Sequence, residues 1–532
     1  MSKTCKIFSL CILAITFYGF KSKTNKQKRP NIIFAFADDW GKYASCYAKV
    51  QNSKAWQQLI YTPNVDRIAN EGILFNNAFV NSPSCTPCRS SLLSGQHFYR
   101  TGRGAILRGA VWDSTIPTYP LILEENGYHI GYTYKVWSPG NPKNAGYGGE
   151  RTKYENGGTR FNSFSQNVSK ILKAGQSLEK AKMELYDEVR QNFASFLSAN
   201  AGNKPYCYWW GPTNTHRSWV KGSGKKFWGI DPDNLKGKLP PFLPDEHIVR
   251  QDFSDYLGEV MAFDAGLGIL IEVLEERGEL DNTLIVVSGD HGIPGFTHGK
   301  CNLYDFGTNV TLAVRWPSVI KPGRVVDDLV SLVDLAPTFL DVTNMAIPEV
   351  MTGKSLLPLL KSNKSTGFIE KKRAWIITGR ERHVESARDG NLPYPQRAIR
   401  TKDFLYIINF KPDRWPMGNP EKPDVSIKEV EKKNRTCFAD YDAGPTKAWI
   451  VKNKNTADNY KYYEFAFAKR PEEELYHITN DPYQINNLAN NLDYDTTKNH
   501  LRKQLLDELK KTNDPRITGE GDTFDKPPYA GK

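Results

Sequence analysis

Residues 31–37, Asn-Ile-Ile-Phe-Ala-Phe-Ala, form a nearly unbroken apolar run that stops at two adjacent carboxylates, Asp38 and Asp39. A strand without a polar face needs cover on both sides. A central strand of a parallel sheet has that cover when helices pack above and below it. Sites in such sheets form beyond the carboxyl ends of the strands. Three further runs have the same form: 128–134 deliver Lys135, 206–210 deliver a loop reaching His216, and 284–289 deliver Asp290 and His291. Segments 119–127 and 170–199 read as helices. In the second, Leu172, Leu178, Met183, Leu185, Val189, Phe193 and Phe196 recur at roughly helical spacing and are assigned to the core. Strand and helix patterns in alternation predict a mostly parallel sheet with helices on both faces.

Two features at these strand ends carry chemistry. Asp38 and Asp39 fit a solvated turn, a cap or a hard-cation site. Like charges this close stay ionised more readily with a cation between them, which favours the last. Residues 61–72 read as a short helix stopped by Gly72, and 73–75 start the strand leading to Cys85-Thr86-Pro87-Cys88-Arg89. Cys85 stands where a loop enters a helix, so backbone N–H groups and the positive end of the helix dipole serve an anion there. It fits a buried turn cysteine, half of a Cys85/Cys88 redox pair, or a nucleophile.

Composition narrows the classes. The 532 residues, 39% hydrophobic and 12% aromatic, suit a globular protein with a large core and two domains. Residues 1–21 read as a secretory signal: Lys3 and Lys6 precede an apolar run too short to span a bilayer, and no comparable segment follows. The expectation is an exported protein, periplasmic or secreted, without stable membrane insertion. Eight cysteines at irregular spacings give neither a disulfide scaffold nor a zinc-finger pattern. The net charge of +12 suits a polyanionic partner. Nucleic acid is disfavoured, because no recognition motif appears and the export signal argues against it; a sulfated glycan is the more natural anion.

Cys-Thr-Pro-x-Arg followed by Leu92-Leu93-Ser94-Gly95 resembles the signature of the formylglycine-dependent sulfatases. The resemblance runs over roughly residues 31–490 and implies an alkaline-phosphatase-like α/β fold. It implies that a maturation enzyme oxidises Cys85 to formylglycine, the attacking group, and that Arg89 braces it. It further implies that Asp38, Asp39, Asp290 and His291, together with residue 85, hold one Ca2+ or Mg2+. Lys135 and Lys300 would contact sulfate, and His216, alone or with Lys300, would protonate the leaving group. The segment from Gly292 through Lys300-Cys301-Asn302-Leu303-Tyr304 is closest to the sulfamidase-like branch, which makes N-sulfate hydrolysis a possibility beside O-sulfate. Two positions depart from the pattern: Cys88 replaces Ser or Ala, and Trp137 stands where a histidine usually follows the first lysine.

The catalytic domain is expected over 30–365, with 361–372 as a polar linker, and a smaller α+β subdomain with an antiparallel sheet over 373–532. Runs 375–377, 397–400 and 404–408 read as its strands. Residues 474–482 and 486–488 resemble the family's closing hairpin, and 501–509 its final helix. Arg380, Arg382 and His383 read either as a solvated charge cluster or as a substrate-binding loop. Two other functions remain open: a phosphatase or phosphonate hydrolase of the same fold, and a catalytically silent glycan-binding protein, for which Trp137 is the best support.

Overall fold

The computed structural model describes residues 29–50, 56–140, 145–420 and 424–531. The secretory signal expected over 1–21 lies outside the described residues. No helix among them is long and apolar enough to cross a membrane.

The main sheet runs in the order β3 (His129–Tyr134), β4 (Tyr206–Gly211), β1 (Asn31–Ala37), β5 (Thr283–Gly289), β7 (Leu312–Arg315), β2 (Ile73–Phe79), β8 (Arg324–Ser331) and β9 (Thr366–Gly367), with β6 (Asn309–Val310) beside β2. Pairing is parallel from β3 through β5 and from β2 through β9. The direction reverses at β7, antiparallel to both β5 and β2, and at the short β6, antiparallel to β2. The two reversals across β7 cancel, so β2 runs the same way as β1 and β5, and the carboxyl ends of β1 to β5 share one edge.

The absence of a polar face on β1 follows from its packing. Ile33, Ala35 and Ala37 enter one hydrophobic cluster, with the helices Phe164–Lys173, Leu178–Ser198 and His247–Glu276. Ile32, Phe34 and Phe36 enter the opposite one, with the helices Cys85–Ser94, Tyr119–Glu125 and Leu335–Val342. Alternate side chains point to opposite faces, and both faces are covered. Two strand-end glycines admit the backbone that delivers the site. A Cβ on Gly211 would meet the Lys135 carbonyl oxygen at 2.0 Å, and one on Gly289 the Trp40 carbonyl oxygen at 1.9 Å.

A second sheet, β10 (Trp375–Arg380), β11 (Gln396–Thr401), β12 (Phe404–Asn409) and β13 (Glu473–His477), is antiparallel throughout. The helix Asp495–Lys511 lays Leu501, Leu505 and Leu509 against it, in a cluster that also takes Phe98 and Tyr99. Between β12 and β13 lies a helical insertion without a counterpart in the sequence reading. It comprises Ile427–Lys432, Pro445–Asn453 and Ala457–Phe467, with a small core of its own around Phe438, Tyr441 and Phe467.

Three expectations need correction. Met183 is 48% exposed, because the helix that carries it turns that position away from the sheet. Residues 361–372 are not merely a linker, since Thr366–Gly367 extends the main sheet beside β8. The second arm of the closing hairpin is not a strand: Asn487 meets β13 through its side chain, at the Leu475 N–H and the Glu473 carbonyl oxygen, and Leu488 through one backbone hydrogen bond to Leu475.

Candidate active site

Cys85 is the first residue of the helix Cys85–Ser94, behind Ser84 in extended conformation, and is 3% exposed. Its Sγ lies 3.4 Å from His291 Nε2 and 3.9 Å from Asp39 Oδ1. Asp38 and Asp39 follow β1, Asp290 and His291 follow β5, Lys135 follows β3, and Cys85 follows β2 through a short loop. Four strand ends thus converge on one buried cluster. Asp39 holds a positive φ of 51°, and its N–H donates to Asp290 Oδ1 at 2.7 Å, which ties the ends of β1 and β5 together.

Arg89, one helical turn after Cys85, organises the acids. Its Nε donates to Asp290 Oδ2 at 2.9 Å, and an Nη donates to Asp38 Oδ1 at 3.1 Å. Its other Nη reaches the carbonyl oxygens of Lys135 and Val136, and Phe36 lies beneath the guanidinium at 4.9 Å. Lys135 Nζ donates to both oxygens of Asp38 at 2.6 and 2.7 Å. Lys300 Nζ lies 3.0 Å from Asp39 Oδ1 and 3.1 Å from Oδ2. Three carboxylates therefore face three cations in a site closed to solvent. Burial alone would raise the Asp38 carboxyl, but Lys135 and Arg89 hold it well below the usual carboxylate range. Burial would lower Lys300, and Asp39 and Asp442 more than offset it, so the ammonium is held well above its ordinary value.

His291 Nδ1 lies 3.1 Å from the Gly292 carbonyl oxygen. A carbonyl only accepts, so Nδ1 donates, and Nε2 is left facing Asp39 Oδ1, 3.3 Å away. Asp39, Cys85 and His291 form one group able to hold a metal ion, and Asp38, Cys85 and Asp290 another, with ligand atoms within 4.8 Å of one another. Hard carboxylate oxygens from three residues with one imidazole nitrogen fit Ca2+ or Mg2+ in kind.

His216 lies on the rim, its side chain 36% exposed and its Nε2 3.8 Å from Asp39 Oδ2. Its Nδ1 donates to the Arg217 carbonyl oxygen at 2.6 Å, which aims Nε2 into the site. The loop is tied to the helix His247–Glu276: Asn214 Nδ2 donates to the Glu259 carbonyl oxygen at 2.6 Å, and Arg217 clasps both oxygens of Asp252 at 2.8 and 2.7 Å.

The redox reading of Cys85 fails on environment. Burial, reinforced by Asp38, pushes its thiol well above the ordinary range, and Cys85 and Cys88 are both free. A thiol exchange centre needs the opposite shift. Trp137 is buried at 1% exposure, with Nε1 donating to Ser90 Oγ at 2.6 Å and its ring edge-on to Trp112. It brings no titratable group to the position.

Arg380 is a correction. It is 2% exposed, and its two Nη groups donate to Asp440 at 2.9 Å, the Pro416 carbonyl oxygen at 2.7 Å and the Cys301 carbonyl oxygen, so it braces the insertion instead of facing substrate. Arg382 is 7% exposed and donates to the Arg108 carbonyl oxygen. His383 Nδ1 meets Ser84 Oγ at 2.8 Å, directly behind Cys85, and burial lowers its pKa to about 3. Sequence reasoning missed Asp442, whose Oδ2 stands 3.7 Å from Lys300 Nζ. The signal was the acidic pair Asp440 and Asp442 ahead of Gly444-Pro445, a loop about to enter a helix.

The family model described as Sulfatase matches residues 30–345, and the one described as N-sulphoglucosamine sulphohydrolase, C-terminal, matches 289–417. An ulvan-active sulfatase of Formosa agariphila is 28% identical over 92% of this chain and 81% of its own length. The human N-sulphoglucosamine sulphohydrolase is 27% identical over 97% of this chain and 95% of its own. A solved structure in complex with its substrate D-glucosamine-2-N,6-O-disulfate superposes with a TM-score of 0.59 at 19% identity, covering 93% of this chain and 100% of that one. The architecture is the alkaline-phosphatase-like α/β one, with the antiparallel sheet toward the C-terminus.

Proposed function

Because the chain belongs to the sulfatase family, a class of sulfuric ester hydrolases, we propose that it is an exported enzyme removing sulfate from a sulfated polysaccharide or oligosaccharide. The observation that carries this reading is the convergence of Cys85, Asp38, Asp39, Asp290, His291, Lys135 and Lys300 on one buried cluster at the carboxyl edge of the sheet. The signal-like segment 1–21 supports export, and the Cys-Thr-Pro-Cys-Arg core supports maturation of residue 85 to formylglycine by a dedicated enzyme. Asp38, Asp39, Asp290 and His291 would hold one Ca2+ or Mg2+. A formylglycine at residue 85 would supply the attacking oxygen, and a bound dication would supply charge stabilisation on the sulfate oxygens.

The chain's own groups divide the remaining work. Arg89 fixes the helix start against Asp38 and Asp290, so residue 85 is held in one orientation. Lys135 and Lys300 offer N–H donors to the sulfate oxygens in a site closed to water, where such contacts are strongest. His216, at the rim, holds a proton on Nε2 for the departing sugar oxygen or nitrogen. The relatives' names indicate the panel to try: ulvan oligosaccharides and glucosamine N-sulfate, and N-acetylglucosamine 6-sulfate from an N-acetylglucosamine-6-O-sulfatase of Bacteroides thetaiotaomicron that is 25% identical over 77% of this chain.

The test is sulfate release, read by ion chromatography, from that panel and from aryl sulfate, with aryl phosphate as control. The protein is made in a host that matures the cysteine. Release by the wild type and none by Cys85→Ala supports the reading; phosphate turnover exceeding sulfate turnover overturns it. Trp137 favours one second reading, a glycan-binding protein without turnover, which binding without release would establish.

A further inference from the structure

The carboxylate of Asp442 lies near the reaction cluster and has no part in the chemistry assigned above. Its side chain is 9% exposed. Oδ1 accepts from Asn434 Nδ2 at 3.1 Å, while Oδ2 has no hydrogen-bond donor among the described residues. The approach of Lys300 to Oδ2, 3.7 Å, is an ion pair beyond hydrogen-bond reach. A buried carboxylate oxygen left in this state is costly unless a ligand completes it.

The loop cannot relax to complete it from within. Lys447 Nζ donates to the carbonyl oxygens of Cys437, Phe438 and Tyr441 at 2.7, 3.1 and 2.7 Å. Arg380 and Arg388 clamp Asp440 at 2.9 and 2.7 Å. The Ala443 N–H donates to Asn434 Oδ1 at 2.7 Å. Held in this frame, Asp442 is one of the residues lining a cleft of about 480 Å3 whose walls also include His216, Arg217, Trp219, Lys221 and Lys432.

His216 protonates the leaving atom, so the sugar that leaves occupies this cleft. A carboxylate is an acceptor only and repels sulfate, so what it receives is a donor. We propose that Asp442 accepts a hydrogen bond from an O–H or N–H of the sugar beside the scissile sulfate, and that it selects hydroxylated or amino sugars over other leaving groups. This rests on the proposed function.

The experiment compares Asp442→Asn with wild type on glucosamine N-sulfate, N-acetylglucosamine 6-sulfate, ulvan oligosaccharides and 4-nitrophenyl sulfate. For the sugar sulfate turned over best, the ratio of its kcat/KM to that of the aryl sulfate falls about tenfold or more, the loss of one charge-assisted hydrogen bond. Equal losses on sugar and aryl sulfates overturn the proposal, because Asp442 would then act only through Lys300; no loss on either overturns it as well. Should the variant prove unstable, wild-type protein with sugar sulfates methylated at the neighbouring hydroxyl or amine makes the same comparison. Calorimetric binding to Cys85→Ala, with and without Asp442→Asn, repeats it without turnover. A protein that releases no sulfate therefore refutes the proposed function, while binding still decides on Asp442.

Discussion

Arg89 Nε and Asp290 Oδ2 meet at 2.9 Å with neither side chain open to solvent. The contact joins the helix that begins at Cys85 to the end of β5, and the same guanidinium reaches Asp38 at the end of β1. Arg89→Ala would leave two buried carboxylates without their shared cation, at a cost of about 3–5 kcal/mol. Denaturant melts should show that loss, with Arg89→Lys losing less because the charge stays. An Arg89→Ala protein as stable as wild type would contradict the bracing role.

His216 is assigned the proton for the leaving atom. His216→Ala should lower kcat on sugar sulfates by about 10²–10⁴-fold, and much less on 4-nitrophenyl sulfate, whose leaving group departs without a proton. Steady-state kinetics on the two substrates reads the difference. Equal losses would place His216 in binding or structure.

The acids Asp38, Asp39 and Asp290 should take up a hard dication. Calcium at a hundredfold excess over its dissociation constant should stabilise the fold by about 2.7 kcal/mol, seen as a higher Tm. Asp39→Asn should blunt the response. An unchanged Tm in the wild type, or an equal rise in Asp39→Asn, would contradict the site.

Glu259 supports the His216 loop by accepting from Asn214, and burial pushes its carboxyl up to about 7. In the unfolded chain it titrates near ~4.3. Between those values the folded state binds more protons, so this group's contribution to stability is full at low pH and is lost as pH rises toward 7. Asp264, also buried and also pushed to about 7, acts in the same direction. Wild-type Tm corrected for other groups should fall across that window, and Glu259→Gln should fall less steeply. Parallel profiles would show that Glu259 already ionises near its ordinary value.

The frame of the site was legible because its determinants are local. The all-apolar segment 31–37 can satisfy both faces only inside a covered sheet, and parallel pairing then forces Asp38, Lys135 and Asp290 to one edge. Trp137 was legible as a departure, but not its consequence: only packing shows the indole committed to Ser90. Arg380 was misread because a basic cluster in a loop looks the same whether it meets solvent or a buried acid, and Asp440 lies in an insertion with no strand to place it. Asp442 escaped for the same reason. Its partner Lys300 is distant in sequence, and no periodicity connects them.

The measurement that bears most directly on the central claim is the mass of the tryptic peptide spanning residues 68–89, from protein made in a maturing host. The account predicts that residue 85 has exchanged its thiol for an aldehyde oxygen, and that the preparation carrying it releases sulfate from a glycan. An unmodified Cys85 in a preparation that still releases sulfate would contradict it.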